Sequence, residues 1–348
     1  MTLPHQGYTA ESAEKYQRQT GVALISVLLI FAIAAALAAR MMSNGAIQVE
    51  QASVYLSQQQ INAYSRGVET YVISLLQEDW KNDDQVRATA YDHPQDEWAT
   101  LKRFPLDDIT GEEGTEGEIL LNIEPLNGLF NISNLFDNSG QLNSKQLAVF
   151  KQLLTDQDIA TSVADLTLDW IDNDNTTSSL LGAEDNLYLL KAPAYRTADQ
   201  NIFNLSELLL LDQDQVSGED LMMLEEQMVS LPDNSKYNLN WVSPELLAAL
   251  TNTTPGQAEQ WLAGREFDPI SDVATFFTTH HPSFADPGDL FITRSQYFRI
   301  LIRVSIGEQL GYMSSTVHRN LTDGVTRVLS RNYLPFNKYK LKLEEDET

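Results

Sequence analysis

Between Val22 and Ala39 the chain reads VALISVLLIFAIAAALAA, 18 residues with no charge and one hydroxyl. At ~1.5 Å per helical residue this run spans ~27 Å, close to the thickness of a hydrocarbon core. A soluble helix keeps one polar face for water, and this run has none. It is expected to lie in a membrane. Lys15 and Arg18 precede the run and Arg40 ends it, a basic flank that favours a cytoplasmic N-terminus. A cleaved signal peptide is the rival reading, with Ala36, Ala38 and Ala39 as its small residues.

Beyond Arg40 the pattern stays helical. Val54, Ile61, Val68, Val72 and Leu75 recur at spacings of 7, 7, 4 and 3, which aligns them on one helical face. No proline stands between Pro4 and Pro94. One helix is thus expected from the membrane to about Gln77, with Gly45 and Gly67 as weak points costing roughly 1 kcal/mol each against alanine.

The remainder divides by composition. Trp80 to Glu118 mixes charges, prolines and glycines, and Gly111 to Gly117 reads as an acidic turn. Its acidic residues stand where phosphates would lie, so its glycines do not form a nucleotide loop. Ile119 to Ile123 and the residues around Phe130 read as short strands. Leu135 to Gly288 is mainly helical in pattern and carries 6 bases against 24 acids. From Phe298 to Ile306 apolar and polar residues alternate with the period of a half-buried strand. Strand-like runs at Tyr312 to Arg319 and Val325 to Tyr333 flank Thr322-Asp323-Gly324, a hairpin signal. The charged tail Lys338 to Thr348 is expected to fray.

The whole chain has 23 Lys and Arg against 49 Asp and Glu, a net charge of −26. Such a surface repels phosphate backbones, and no nucleic-acid partner is expected. Cysteine is absent, which removes disulfides and thiolate chemistry. The five histidines (His5, His93, His280, His281 and His318) form no zinc-binding helical pair, and no nucleophile elbow or phosphate loop is present. Carboxylate pairs are numerous enough to arise by chance, so a glycosidase-type acid and base is not singled out.

Three short segments echo one another: Phe130-Asn131-Ile132-Ser133, Phe203-Asn204-Leu205-Ser206 and Tyr237-Asn238-Leu239-Asn240. In each, Asn or Ser is placed to cap the helix-like stretch after it. The third leads into Ser243-Pro244, a cap with proline at the first helical position. Thr251 to Gln257 then reads as a turn and Ala258 to Ala263 as a second helix. This resembles a helix-hairpin-helix unit, but with few bases it reads as a packing device.

One constellation carries site chemistry: Asp169-Trp170-Ile171-Asp172-Asn173-Asp174-Asn175-Thr176, then Gly182-Ala183-Glu184-Asp185. Five acids fall within 17 residues. Clustered carboxylate and amide oxygens suit Ca²⁺, which accepts six to eight oxygens in flexible loops, better than Mg²⁺. The candidate ligands are Asp172, Asp174, Thr176, Glu184 and Asp185. The spacing departs from an EF-hand, with Thr177 in place of the loop glycine. A solvated acidic loop is the alternative reading.

Gln19-Thr20-Gly21-Val22-Ala23-Leu24-Ile25-Ser26, with bases before the glycine and the apolar run after it, resembles a type IV prepilin-type leader. The resemblance implies cutting by a prepilin peptidase between Gly21 and Val22, with methylation of the new N-terminus afterwards. Most pilin-like chains carry glutamate at the fifth mature position, where this chain has Ser26. A carboxylate in lipid is costly unless paired, and in that family its partner is the amine of the subunit ahead. Ser26 therefore fits a subunit with none ahead of it.

The ordered run Phe104-Pro105-Leu106, Gly128 to Leu135, Asp169 to Asp174, Gly182 to Asp185, Tyr195-Arg196 and Ser206-Glu207-Leu208 resembles the protein K family of type II secretion systems. The resemblance implies an α+β fold with a pilin-like core, in which a long transmembrane helix joins an antiparallel sheet, and a large inserted helical domain. The corresponding organisation is leader 1–21, transmembrane and extended helix 22–79, and first part of the core 80–134. The inserted acidic domain comes next at 135–288, then the final strands 289–335 and a tail 336–348. The resemblance also implies bound calcium and a place at the tip of a periplasmic pseudopilus. There the partners would be other minor pseudopilins, with the major pseudopilin, the prepilin peptidase and the inner membrane as further contacts. The alternative is a membrane-anchored periplasmic calcium-binding protein or enzyme tethered by an uncut helix.

A side chain at Gly21 obstructs a peptidase that must approach the scissile backbone closely. Gly21→Leu is expected to leave the precursor uncut and to abolish secretion, as read by the precursor's mobility and by the exported protein in the medium.

Overall fold

The computed structural model describes residues 20–85, 90–100, 102–111, 116–211 and 215–336. The leader residues before Thr20, most of the acidic turn at 112–115 and the tail from 337 lie outside them. Two compact units divide the chain at Gln59/Gln60.

Helix α1, Thr20–Gln85, is 66 residues long and passes through that division. Its part up to Gln59 holds the apolar run, with exposed Leu24, Ile25, Leu28, Phe31 and Leu37, and is long and apolar enough to cross a membrane. From Gln60 onward α1 buries Ile61, Val72 and Leu76 against a sheet. It runs eight residues past the expected end at Gln77. Nothing local stops it, and its last turns gain tertiary partners through Asp79 and Trp80.

Strand β1 (Lys102–Pro105) leads into the short helix α2 (Leu106–Thr110) and then strand β2 (Gly117–Pro125). A two-residue strand β3 (Phe130–Asn131) opens the inserted region. It contains α3 (Ser144–Asp156), α4 (Ser162–Ile171), α5 (Asp185–Tyr188) and α6 (Gly218–Gln227). Strands β4 (Met228–Val229) and β5 (Tyr237–Asn238) precede α7 (Pro244–Thr251), α8 (Pro255–Leu262), α9 (Val273–His280) and α10 (Pro287–Leu290). The short β6 (Phe291–Ile292) leads back to β7 (Tyr297–Ile306), β8 (Gln309–Arg319) and β9 (Thr326–Asn332).

The main sheet has the order β1-β2-β7-β8-β9 and its pairs are antiparallel. Strand β1 leaves little trace in the sequence: four residues with two bases and a proline carry a weak strand signal, and only pairing with β2 makes them one. The central pair runs from Gly117↔Ile306 to Pro125↔Phe298, so strands far apart in sequence are immediate neighbours. Ile119, Leu121, Ile123, Ile300, Ile302, Val304, Met313 and Val317 face α1 and form one core. A separate core, from Phe130 to Phe291, belongs to the inserted helices. It takes in Phe130 and Ile132, just ahead of the expected start at 135.

Where the chain leaves and re-enters the sheet, the buried Asn127 staples both ends. Its side-chain oxygen accepts from the backbone N–H of Gln296 and Tyr297 at 2.8 and 2.9 Å, and its amide donates to the Lys236 carbonyl. The three echo segments share one device. The side-chain oxygens of Asn131, Asn204 and Asn238 each accept from the backbone N–H two residues on, at 3.1, 2.9 and 3.0 Å. The helix pair α7–α8 is tighter than expected, because Thr254 caps a helix that already starts at Pro255.

Two side chains of α1 anchor the far strands. Buried Glu69 takes a bidentate pair from Arg331 on β9 and a hydrogen bond from Ser315 on β8. Trp80 donates to the Leu321 carbonyl in the β8–β9 link, where Gly324 has φ +71° and leaves room for the indole. That link bears out the Asp-Gly hairpin, although it spans 320–325.

At Gly311 an added Cβ would stand 2.1 Å from Ile61 Cγ2, in a fully packed layer between β8 and α1. Overpacking of this kind costs about 1–3 kcal/mol. Gly311→Ala is expected to lower the melting temperature, and Ile61→Leu, which removes the clashing branch, to recover part of the loss in the double variant.

Candidate functional site

Helix α4 ends by delivering Asp169 from its last turn, and Asp172 stands at the C-cap in an extended conformation. The chain then loops out and returns with Glu184 at the N-cap of α5. Asp169, Asp172 and Glu184 each bring one carboxylate oxygen within 4.8 Å of the others. Asp169 is 0% and Glu184 2% exposed.

The burial of these carboxylates is not matched by hydrogen bonds. Asp169 Oδ1 accepts from the Ser178 N–H at 2.8 Å and so pins the loop. Its Oδ2 and both Glu184 oxygens have no hydrogen-bond partner among the described residues. Burial, then the charges of Asp169, Asp172, Asp174 and Asp199, push the Glu184 carboxyl up to about 7. Burial also raises Asp172, to about 6, against an opposing hydrogen bond from the Asp174 N–H. Orphaned buried oxygens of one sign are a costly arrangement that calls for a counter-charge. A hard cation among oxygen donors fits that need.

Of the expected ligands, Asp172 and Glu184 come together. Asp174 and Thr176 lie in the exposed turn, where Asp174 Oδ1 accepts from the Thr176 N–H at 2.8 Å. Asp185 is engaged elsewhere, pairing with Arg196 and accepting from the Thr197 N–H and hydroxyl at 3.2 Å. Asp169 is the member that the sequence reading leaves out of the ligand set. Its spacing of three from Asp172 at a helix end is the signal that points to it. Asp199, at φ +49° and hydrogen-bonded by the Thr197 hydroxyl, adds charge from a distant segment that no local pattern marks.

Gly182 stands directly over the cluster, and a Cβ there would lie 1.9 Å from Asp169 Oδ2. In α1, Gly21 and Val22 are helical, and Ser26 lies exposed within the apolar run.

A long helix that is apolar in its first part and packs on an antiparallel sheet from Gln60 onward, with a helical domain inserted between adjacent strands, defines a pilin-like protein with an insertion. A chain of the crystal structure of the GspK–GspI–GspJ complex from the enterotoxigenic Escherichia coli type 2 secretion system has this fold. The TM-score is 0.68 at 19% identity, over 82% of this chain and 100% of that one. Two family models described as type II secretion system protein K match residues 128–232 and 237–290. Type II secretion system protein K of Pseudomonas aeruginosa is 31% identical over 90% of this chain and 92% of its own length. The Pectobacterium carotovorum protein of that name is 27% identical over 91% and 97%. The chain belongs to the type II secretion system protein K family and is a minor pseudopilin of type II secretion.

Gly182→Ala is expected to displace Asp169 from Ser178 and to destabilise the globular part by about 1–3 kcal/mol. A denaturant melt with and without divalent ions checks it.

Proposed function

We propose that this minor pseudopilin caps the periplasmic pseudopilus, together with other minor pseudopilins, and helps start the filament that drives folded proteins across the outer membrane. The observation that carries the reading is Ser26. A filament subunit with another ahead of it gains from a carboxylate at that depth, whereas the leading subunit would bury one unpaired. The inserted acidic domain supports it as well, being bulk added to a pilin-like core that a laterally packed subunit has no use for. The apolar helix of α1 sits in the inner membrane with the N-terminus cytoplasmic and the body periplasmic, after a prepilin peptidase has cut behind Gly21. The major pseudopilin then meets the helix from below. The relatives are named as secretion proteins, and the chain's role is assembly rather than catalysis.

Calcium belongs to the same reading. Asp169, Asp172 and Glu184 would hold the ion, with Asp174 and Asp199 adding to the field. In a chain without cysteine the ion takes the cross-linking part that disulfides have elsewhere.

Reconstitution with two other minor pseudopilins tests the assembly role. A mature chain beginning at Val22 is expected to form a stable complex and to restore secretion in a strain lacking it. An uncut chain that secretes normally would favour the tethered alternative.

For the ion, calcium at ~100 times its dissociation constant adds ~2.7 kcal/mol by linkage. Calcium is expected to raise the melting temperature more than equal magnesium, and Asp172→Ala with Asp174→Ala to erase the difference. Glu184→Gln is expected to lose the calcium gain while melting no lower than wild type in chelator, since it removes an unpaired buried charge.

A further inference from the structure

The last turns of α1 end in a second carboxylate cluster, built differently from the first. Asp79 and Asp83 on α1 and Asp92 beyond it bring carboxylate oxygens within 4.8 Å of one another. Arg319 on β8, 0% exposed, stands among them. It donates to Asp79 at 2.8 Å, to Asp92 at 2.7 Å and to the Ser295 carbonyl at 3.0 Å. Asp92 in turn accepts from the Ser295 N–H. These contacts join α1, the segment before β1, the β6–β7 link and β8 in one buried knot.

The charges in the knot do not balance. Arg319 directs its two terminal nitrogens at Asp79 and Asp92, which leaves Asp83 as a third carboxylate. Arg294, in the β6–β7 link, lies over the Trp80 ring at 5.8 Å and brings Nε only to 3.6 Å from Asp83 Oδ2. That oxygen has no hydrogen-bond partner among the described residues. Asp96 faces the group from the segment before β1 and accepts from the His93 N–H at 2.7 Å. The His93 ring lies 3.8 Å from the same carboxylate, and burial lowers its pKa, so it adds little positive charge at neutral pH. Four carboxylates thus meet two guanidiniums. The guanidinium in the middle repels a metal ion, which leaves a proton as the fitting counter-charge.

We propose that Asp83 is the proton-operated element of a latch, which holds the last turns of α1 to β8 and the β6–β7 link when Asp83 is protonated and loosens them when it is not. A proton on Asp83 removes its repulsion of Asp79 and Asp92 and lets it donate to either, so the Arg319 pairs stay closed. Without the proton, Asp79, Asp83 and Asp92 crowd Arg319 with only the longer Arg294 contact to offset them, and the pair on the helix is the one that can move away. The latch secures the C-terminal end of α1 within the folded body.

The electrostatics agree in direction. Burial, then Asp79, push Asp83 up to about 7, and burial, then Asp92, push Asp79 up to about 6 despite the Arg319 pair. Burial likewise raises Asp96 to about 7. A carboxyl whose pKa is raised in the closed state binds more protons there than in the open state. Closure therefore weakens as pH rises from about 4 to about 7 and levels off above. One proton with a closed-state pKa of about 7 and an ordinary open-state value gives about a tenfold rise in the opening constant between pH 6 and pH 8.

Hydrogen exchange of the detergent-solubilised full chain, corrected for intrinsic rates, reads this directly at the amides of residues 76–83. Wild type is expected to lose protection about tenfold from pH 6 to pH 8, with calcium and chelator making no difference. Asp83→Asn is expected to keep the pH 6 level of protection at both values, while amides of β7 stay unchanged throughout. Asp83→Ala, which lacks the amide donor, serves as a second variant and is expected to remove the pH dependence too. Equal protection of wild type at both pH values would overturn the latch. So would the full tenfold change persisting in both Asp83 variants, or protection that tracks calcium instead of protons.

Discussion

The pairing of β2 with β7 is the contact on which the rest of this molecule depends. It joins residues 117–125 to residues 298–306 with the whole helical domain between them. Closing so long a loop costs chain entropy, although the cost grows only slowly with length. The ladder, the apolar residues it presents to α1 and the Asn127 staple oppose that cost together. Since the two ends of the insertion emerge side by side, the helical domain can build its own core without disturbing the pilin-like one. The separate apolar cores of the sheet and of the inserted helices are the outcome of that arrangement.

Buried charge is handled in two contrasting ways. Around Arg319 the carboxylates of Asp79 and Asp92 find a guanidinium inside the protein, and one further carboxylate is left over. Around Asp169 and Glu184 no guanidinium among the described residues pairs with either, and Arg196 is taken by Asp185. Desolvation raises the pKa of carboxyls in both places, yet only the second has the all-oxygen lining that suits a hard cation. The same residue type is therefore a paired structural tie in one place and an unpaired buried cluster in the other, according to what stands beside it.

These features share a mechanical logic. This minor pseudopilin combines an apolar helix, a pilin-like core and an inserted helical domain in one chain. Glu69, Trp80 and Asp79 tie α1 to the strands at successive levels, reaching Arg331, the β8–β9 link and Arg319. The loop that carries Gly182 is held to the end of α4 by the hydrogen bond from the Ser178 N–H to Asp169. Strength is placed where segments distant in sequence meet.

Periodicity carries most of what is legible in the chain before it folds. The uncharged run, the seven-residue spacing along α1 and the alternation at 298–306 report which faces meet lipid, core or water, and each is a local property of neighbouring residues. The acidic loop stands out for the same reason, because Asp172, Asp174 and Glu184 lie close in sequence. Strand β1, the extra turns of α1, the diversion of Asp185 to Arg196 and the convergence on Asp169 are not legible there. Each depends on a partner brought from elsewhere in the chain. The sequence alone determined the apolar helix, the class of fold and the acidic stretch between α4 and α5, since hydrophobic pattern and composition act locally. Only the tertiary structure decided which carboxylates are buried together and which find a counter-charge, because desolvation and Coulomb energy depend on distances that the order of residues does not contain.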